Sequence, residues 1–256
     1  MITIDTEKCK RDGICVRECP TAIIKLKDKE SVPKIMKGGE AFCLRCGHCV
    51  AVCPHGALDH KDVPLDACPP IERALKLTPE QAIQFLRSRR SVRFFKDKPV
   101  EKETLERLIE MARYAPTGSN SQLVQYTVFT DKEKIHELAG LTVDWMKYMQ
   151  EKYPNEPTAA YMPMIITAWK MGVDSVLRNA PGLILASAPK EHRNGLVDVT
   201  IALTYLELAA MPLGLGTCWA GLLQGAMLSW DPLKEAIGLP EGHVHHYPMM
   251  IGYARP

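Results

Sequence analysis

The sequence predicts an α+β chain in two parts, and three observations carry this. Residues 1–60 hold a cysteine-rich pattern that occurs twice. Residues 61–77, with Pro64, Pro69 and Pro70 and few periodic apolar positions, read as an extended connector. From residue 78 onward, segments with helical apolar spacing and short strand-like runs both occur. The 256 residues allow one large domain or two small ones, and 46% hydrophobic content is enough for a buried core.

The first part is organised around Cys43 to Pro54, CLRCGHCVAVCP, which reads C-x2-C-x2-C-x3-C-P. Thiolates are soft ligands suited to iron–sulfur clusters. Zinc also takes four thiolates, but its motifs come as two CxxC pairs rather than a triplet with a trailing Cys-Pro. Upstream, Cys9 to Pro20 (CKRDGICVRECP) reads C-x2-D-x2-C-x3-C-P, with Asp12 where the second cysteine of the triplet belongs. Each half ends in Cys-Pro followed by an apolar run, Ala22-Ile23-Ile24 and then Ala57-Leu58. This degenerate repeat resembles the two-cluster bacterial ferredoxins. The resemblance implies a ferredoxin-like α+β domain over residues 1–60, in which Cys43, Cys46, Cys49 and Cys19 hold one [4Fe-4S] cluster. Cys9, Cys15 and Cys53, with or without Asp12, hold the other. A carboxylate is a harder and weaker iron ligand than a thiolate, so the Asp12 cluster reads as [4Fe-4S] or [3Fe-4S]. Asp12-Gly13 also reads as a turn with its carboxylate in solvent. His48 and His55 read as solvated or packing residues, and Cys68, outside both sets, as a free thiol.

In the second part, Thr78-Pro79-Glu80-Gln81 is a helix start: Thr78 can cap, Pro79 suits the first helical position and Gln81 completes a capping box. The helix ends in Ser88-Arg89-Arg90-Ser91-Val92-Arg93, where arginines and hydroxyls can hold a phosphate and a further anionic group. A basic helix end also complements the negative pole of the helix dipole. A second helix runs from about Glu101 to Tyr114, with Leu105, Leu108, Ile109 and Ala112 on one face. The loop Ala115 to Gln122 (APTGSNSQ) is rich in small polar groups. Strands are expected at Tyr126–Thr130, Gly182–Ser187 and His245–Tyr253. A mostly apolar helix is expected at Gly195–Ala210, with Val197, Ile201, Tyr205 and Leu208 as its core stripe. Gly214-Leu-Gly-Thr-Cys-Trp-Ala-Gly221 follows that helix and lacks the third glycine of a dinucleotide fingerprint. Of His243, His245 and His246, only the first two share a strand face, and no carboxylate or cysteine nearby completes a metal site.

Taken in order, Arg89-Arg90-Ser91-Val92-Arg93, Ala115 to Gln122, Gly214 to Trp219 and Ile251-Gly252-Tyr253 resemble the nitroreductase family. The resemblance implies a domain over residues 78–256 with a mixed sheet flanked by helices, forming an intertwined homodimer with FMN at the subunit interface. Arg89, Arg90 and Ser91 are then expected at the FMN phosphate and ribityl chain. Arg93 is expected at the pyrimidine edge, where a cation stabilises reduced flavin. Pro116, Thr117 and Asn120 line the flavin, and Gly216, Thr217, Cys218 and Trp219 pass near its ring. Cys218 also reads as a small buried residue rather than a nucleophile, and Trp219 as core packing. Family members usually continue beyond the Gly-Tyr and supply further basic groups. This chain stops at Arg255-Pro256, so either Arg255 does that work alone or a natural tail is missing.

The net charge of +2 gives no case for nucleic acid. No apolar run approaches the length of a membrane span, and the N-terminus lacks the apolar stretch of a signal peptide. Most of the nine cysteines sit at ligand spacing, which fits a reducing, cytoplasmic setting. Clusters pass single electrons and FMN handles one or two, so the resemblance implies a converter between the two. Its partners would be a ferredoxin or similar redox carrier and a small-molecule electron acceptor such as a nitroaromatic, a quinone or an activated alkene. Entry of electrons from NAD(P)H, export through the clusters, reductive dehalogenation, and a pure electron-transfer module stay open. No catalytic acid stands out.

Overall fold

A computed structural model describes residues 1–157 and 160–255. Pro256, the last residue of the expected basic end, lies outside the described residues. The chain divides into two compact units, Met1–Thr78 with Ser119–Ser121, and Pro79–Gly118 with Gln122–Pro256.

The first unit contains β1 (Ile2–Ile4), α1 (Ile14–Glu18), β2 (Ile24–Lys25), β3 (Lys34–Ile35), α2 (His48–Ala51) and β4 (Leu58–His60). β1 pairs antiparallel with β4, and β2 with β3. The sequence repeat is also a backbone repeat. In the register that pairs Cys9 with Cys43, left-handed residues recur as Arg11 and Arg45, Gly13 and Gly47, and Ala22 and Gly56. Arginine and alanine pay a steric cost there, so the loop geometry itself is being held. The core is small: Cys15, Ile23, Ile24, Val50 and Leu58, with Cys19, Cys43, Cys49, Cys53 and Cys68 packed at its edge. The connector is less extended than its prolines suggest. It carries 3-10 turns at Leu65–Ala67 and Arg73–Leu75, and the Cys68 thiol donates to the Pro64 carbonyl at 3.4 Å.

The second unit contains α3 (Pro79–Ser88), α4 (Lys102–Ala112), β5 (Gln125–Phe129), α5 (Lys132–Lys152), α6 (Met162–Lys170), β6 (Gly182–Pro189), α7 (Gly195–Ala210), β7 (Leu215–Trp219), α8 (Gly221–Met227), α9 (Asp231–Ile237) and β8 (His243–Tyr253). The sheet is antiparallel in the order β5-β6-β8-β7. Helices cover both faces, which is why β6 is apolar throughout rather than alternating. Its Ile184, Ala186 and Ala188 pack with α4 and α7. Its Leu183 and Leu185 face the cluster built from α5, α6, α8 and α9. Asp131 caps α5 by accepting from the Glu133 and Lys134 amides at 2.8 and 3.3 Å.

α7 corrects two expectations. Its buried stripe is Val199, Ala202, Leu203, Leu206 and Ala210, whereas Val197 and Tyr205 are 58% and 41% exposed. The helix is apolar around most of its circumference, so periodicity alone could not choose the face that meets the sheet. The helical stretch Gly195–Leu213 also reaches membrane-spanning length, with a mean hydropathy of 1.5 over a stretch 39% buried. It packs on β6, β8 and α4 as the central helix of this unit.

Candidate cofactor sites

In the first unit, the residues of each expected ligand set are neighbours. Burial pushes the Cys49 thiol up to about 11, and its next causes are neighbouring Cys46, Cys43 and Cys19. Burial likewise raises Cys15, followed by the influence of Asp12, Cys53 and Cys9. Each set therefore joins ligands from both halves of the repeat. Buried thiols that disfavour one another's ionisation suit a group carrying several positive metal charges, so the donors fit iron–sulfur clusters. Among the described residues, no three such side chains converge as they would on a single metal ion.

The sulfurs are supplied with hydrogen bonds. The Arg45 amide reaches Cys43 Sγ at 3.4 Å and the Ala57 amide reaches Cys53 Sγ at 3.3 Å. Burial opposes ionisation of Cys19, yet bonds from the Thr21 hydroxyl and the Ile23, Ile24 and Thr21 amides outweigh it and hold its thiol below the usual range. Asp12 lines one cavity with Cys9, Cys15 and Cys53. Its Oδ1 accepts the Ile14 amide at 3.0 Å, and its Oδ2 lies 3.7 Å from His55 Nε2. Asp12 thus makes the turn and also faces the ligand set. His60 was missed by the sequence reading. It is 2% exposed, and its Nε2 lies 3.6 Å from Cys43 Sγ.

In the second unit, the segment after α3 lies along the sheet edge. Ser91 bridges Thr217, the Val92 amide donates to the Thr217 carbonyl at 2.8 Å, and Phe95 bridges Ala254. Gly216 permits this approach: a Cβ there would lie 2.4 Å from Val92 Cγ2. Arg93 and Arg255 enter one cleft of about 540 Å³ together with Phe94, Lys132 and Arg178. Asp97, paired with Lys132, and Asp174, which accepts backbone amides, also line it, so the arginines are what would suit an anionic ligand such as the phosphate of FMN in this cleft of small-molecule size. Arg90 is exposed. Arg89 Nη1 lies 3.4 Å from Oε1 of the buried Glu207, and the Trp219 indole N–H donates to both oxygens of that carboxylate at 3.2 and 3.1 Å. Trp219 also makes an edge contact with Tyr247, and Cys218 is buried in the core.

The 115–122 loop is held elsewhere. Thr117 lines a separate cavity with Ala112, Tyr126 and Ala202, and its hydroxyl accepts the Gln122 amide at 3.0 Å. Burial pushes the Tyr126 phenol in that cavity up to about 12. Pro116 is exposed. The Gly118 amide donates to both oxygens of buried Asp198 at 3.1 Å, and His192 Nε2 is 2.6 Å from the same carboxylate. A Cβ on Gly118 would lie 2.2 Å from Asn194 Nδ2, so a larger residue would require the Asn194 side chain to shift. Asn120 groups with the first unit, where its amide donates to the Leu44 and Arg45 carbonyls at 3.1 Å. The three histidines near residue 245 do not converge: His243 Nδ1 meets the Ser187 hydroxyl at 2.8 Å and His246 Nδ1 meets Gln224 Oε1 at 3.0 Å.

Comparison with known proteins follows the same division. The nitroreductase family profile matches residues 86–253, and that of the 4Fe-4S dicluster domain matches residues 1–54. An FMN reductase [NAD(P)H] of Bacillus subtilis is 30% identical over 164 residues, 63% of this chain and 61% of that protein. A polyferredoxin of Methanothermus fervidus is 39% identical over 66 residues, 26% of this chain and 15% of that protein. A nitroreductase of Bacteroides fragilis solved with bound FMN superposes with a TM-score of 0.58 at 21% identity, covering 68% of this chain and 89% of that one. That last likeness is one of fold.

Proposed function

The chain belongs to the nitroreductase family and carries an N-terminal 4Fe-4S dicluster ferredoxin domain, and on that premise we propose that it is an iron–sulfur flavoprotein oxidoreductase that reduces a small electrophile such as a nitroaromatic, a quinone or an activated alkene. The observation that carries this reading is the presence in one chain of a 4Fe-4S dicluster domain at residues 1–54 and a nitroreductase-family domain at residues 86–253. Bound FMN would supply two-electron chemistry and the clusters one-electron transfer. Arg93 and Arg255 share a cleft, which supports placing both on one anionic ligand. Arg89, Arg90 and Ser91 would hold the phosphate and ribityl chain. Gly216 and Thr217 would bring backbone groups close to the ring, beside Cys218 and Trp219. Pro116, Thr117 and Asn120 would line the flavin. Asp12 would complete the second cluster set, and the domain limits we propose are 1–60, 61–77 and 78–256.

The working form in this reading is a homodimer. The uncovered face of α7 presents Leu196, Val197 and Tyr205, and a second copy is the occupant that would bury it. The cavity holding Thr117 shares no residue with the cleft of Arg93 and Arg255, so two copies can each supply part of one site. The thiolate sets suit the reducing cytoplasm.

The test is anaerobic. Protein loaded with iron, sulfide and FMN is mixed with reduced ferredoxin, then separately with NADH or NADPH, and flavin absorbance is followed. Bleaching by ferredoxin, with reoxidation on adding a nitroaromatic or quinone, is the expected result. Failure to retain FMN, or bleaching with no reoxidation by any acceptor, would overturn it.

A further inference from the structure

Among the differences between the two halves of the first unit's repeat, two bear on the ligand sets. One is Asp12, opposite Cys46. The other, in the same register, is Leu26 opposite His60. His60 closes β4, pairs with Ile2 and is 2% exposed. Its ring is fixed in orientation, because the Asp62 amide donates to Nδ1 at 3.0 Å. A neutral imidazole that accepts at Nδ1 carries its proton on Nε2. That nitrogen lies 3.6 Å from Cys43 Sγ, within reach of an N–H···S hydrogen bond. Leu26 has no proton to give and instead lies near Gly13, with its Cδ1 3.2 Å from where a Cβ would stand.

We propose that His60 is a tuning residue for the cluster held by Cys43, Cys46, Cys49 and Cys19, raising its reduction potential by donating Nε2–H to the Cys43 thiolate. The proposal rests on the iron–sulfur reading above. Reduction adds negative charge to the cluster and its sulfurs, and a hydrogen bond to a ligand sulfur stabilises that charge. Burial strengthens the bond, since little water competes for the sulfur. The Arg45 amide already reaches the same sulfur, so Cys43 receives two donors.

The experiment is a redox titration of the cluster-loaded full chain followed by electron paramagnetic resonance, comparing wild type with His60→Leu and His60→Gln. His60→Leu installs the residue that the other half of the repeat already carries. The expected result is a more negative potential for one cluster signal, the other unmoved, with iron and sulfide content unchanged. Glutamine, which keeps an N–H donor, restores part of the shift. Full cluster content with both potentials unchanged in His60→Leu overturns the proposal. Should His60→Leu fail to load, wild-type protein labelled with ¹⁵N-histidine decides. A weak ¹⁵N coupling to the reduced cluster supports the bond, and no coupling overturns it. Wild-type protein lacking acid-labile sulfide would instead remove the iron–sulfur reading itself.

Discussion

Gly216→Ala is the substitution whose effect can be worked most directly from the structure. The new methyl would lie 2.4, 2.7 and 2.9 Å from Cγ2, Cβ and Cγ1 of Val92. Relaxed carbon contacts are about 3.5–4.0 Å, so the methyl cannot be accommodated where it stands. Val92 is tied to the strand by its amide bond to Thr217 at 2.8 Å, and Ser91 bridges the same residue. Either that segment moves out or the sheet edge distorts. Overpacking of this kind costs about 1–3 kcal/mol, which for a domain of this size corresponds to a fall in Tm of roughly 2–12 °C. Moving the segment also moves Ser91 and Arg93, so FMN retained after desalting should fall with Tm. Thermal denaturation and the ratio of flavin to protein absorbance read the two effects separately. Adding Val92→Ala removes the two Cγ contacts but leaves the one at 2.7 Å, so the double variant should recover only in part, with a coupling between the sites. A Gly216→Ala protein with wild-type Tm and FMN content would refute the reasoning.

Glu207→Leu should cost about 1–3 kcal/mol in thermal denaturation, because it leaves the Trp219 indole N–H unpaired, while Glu207→Gln, which keeps an acceptor, should cost less. Asp198→Ala should destabilise by a similar amount of about 1–3 kcal/mol, since the Gly118 amide and His192 lose their acceptor. Faster amide exchange at Gly118 would report the freed loop. The Tyr253 hydroxyl, 2.5 Å from Glu101 Oε2, and then Lys98 lower the Glu101 carboxyl to about 2 from its ordinary 4.5. A depressed carboxyl contributes stability above its unfolded value and loses it as pH falls toward the folded one. The Tm difference between wild type and Tyr253→Phe should therefore be full above pH 5 and shrink between about pH 4.5 and 2. A difference that stays constant across that range would exclude the linkage.

What the sequence revealed and what it hid follow from the range of the interactions. The cysteine register was legible because cluster ligands are set by local spacing, and the backbone repeats that register at Arg11 and Arg45. β6 was legible as a short buried strand, and the structure buries it on both faces. The face of α7 was not legible, because an evenly apolar helix gives no phase. His60, Asp198 and Glu207 were hidden because their partners are distant in sequence: Cys43 for the first, Gly118 for the second, Arg89 for the third. A usable signal existed for two of them. Asp198 and Glu207 are carboxylates in a mostly apolar helix, and a charge on such a helix is buried only when it is paired or hydrogen-bonded.

Those two carboxylates make α7 the frame of the second unit. Near its N-terminal end, Asp198 fixes the loop that carries Pro116 and Thr117 through the Gly118 amide. Near its C-terminal end, Glu207 gathers Arg89 from the segment after α3 and Trp219 from β7. One stripe of the same helix packs on the sheet, and another stripe stays uncovered. In the proposed dimer, a helix that fixes separate segments through its carboxylates and leaves an apolar stripe uncovered would link assembly to the site. A second copy seated on that face would meet a framework already set by buried charge, rather than loops that must be ordered on docking. The first unit solves a different problem. Its apolar core is too small to hold many loops, and its thiols lie at the core's edge. There the groups that would carry electrons would also supply the cross-links that a larger core makes unnecessary.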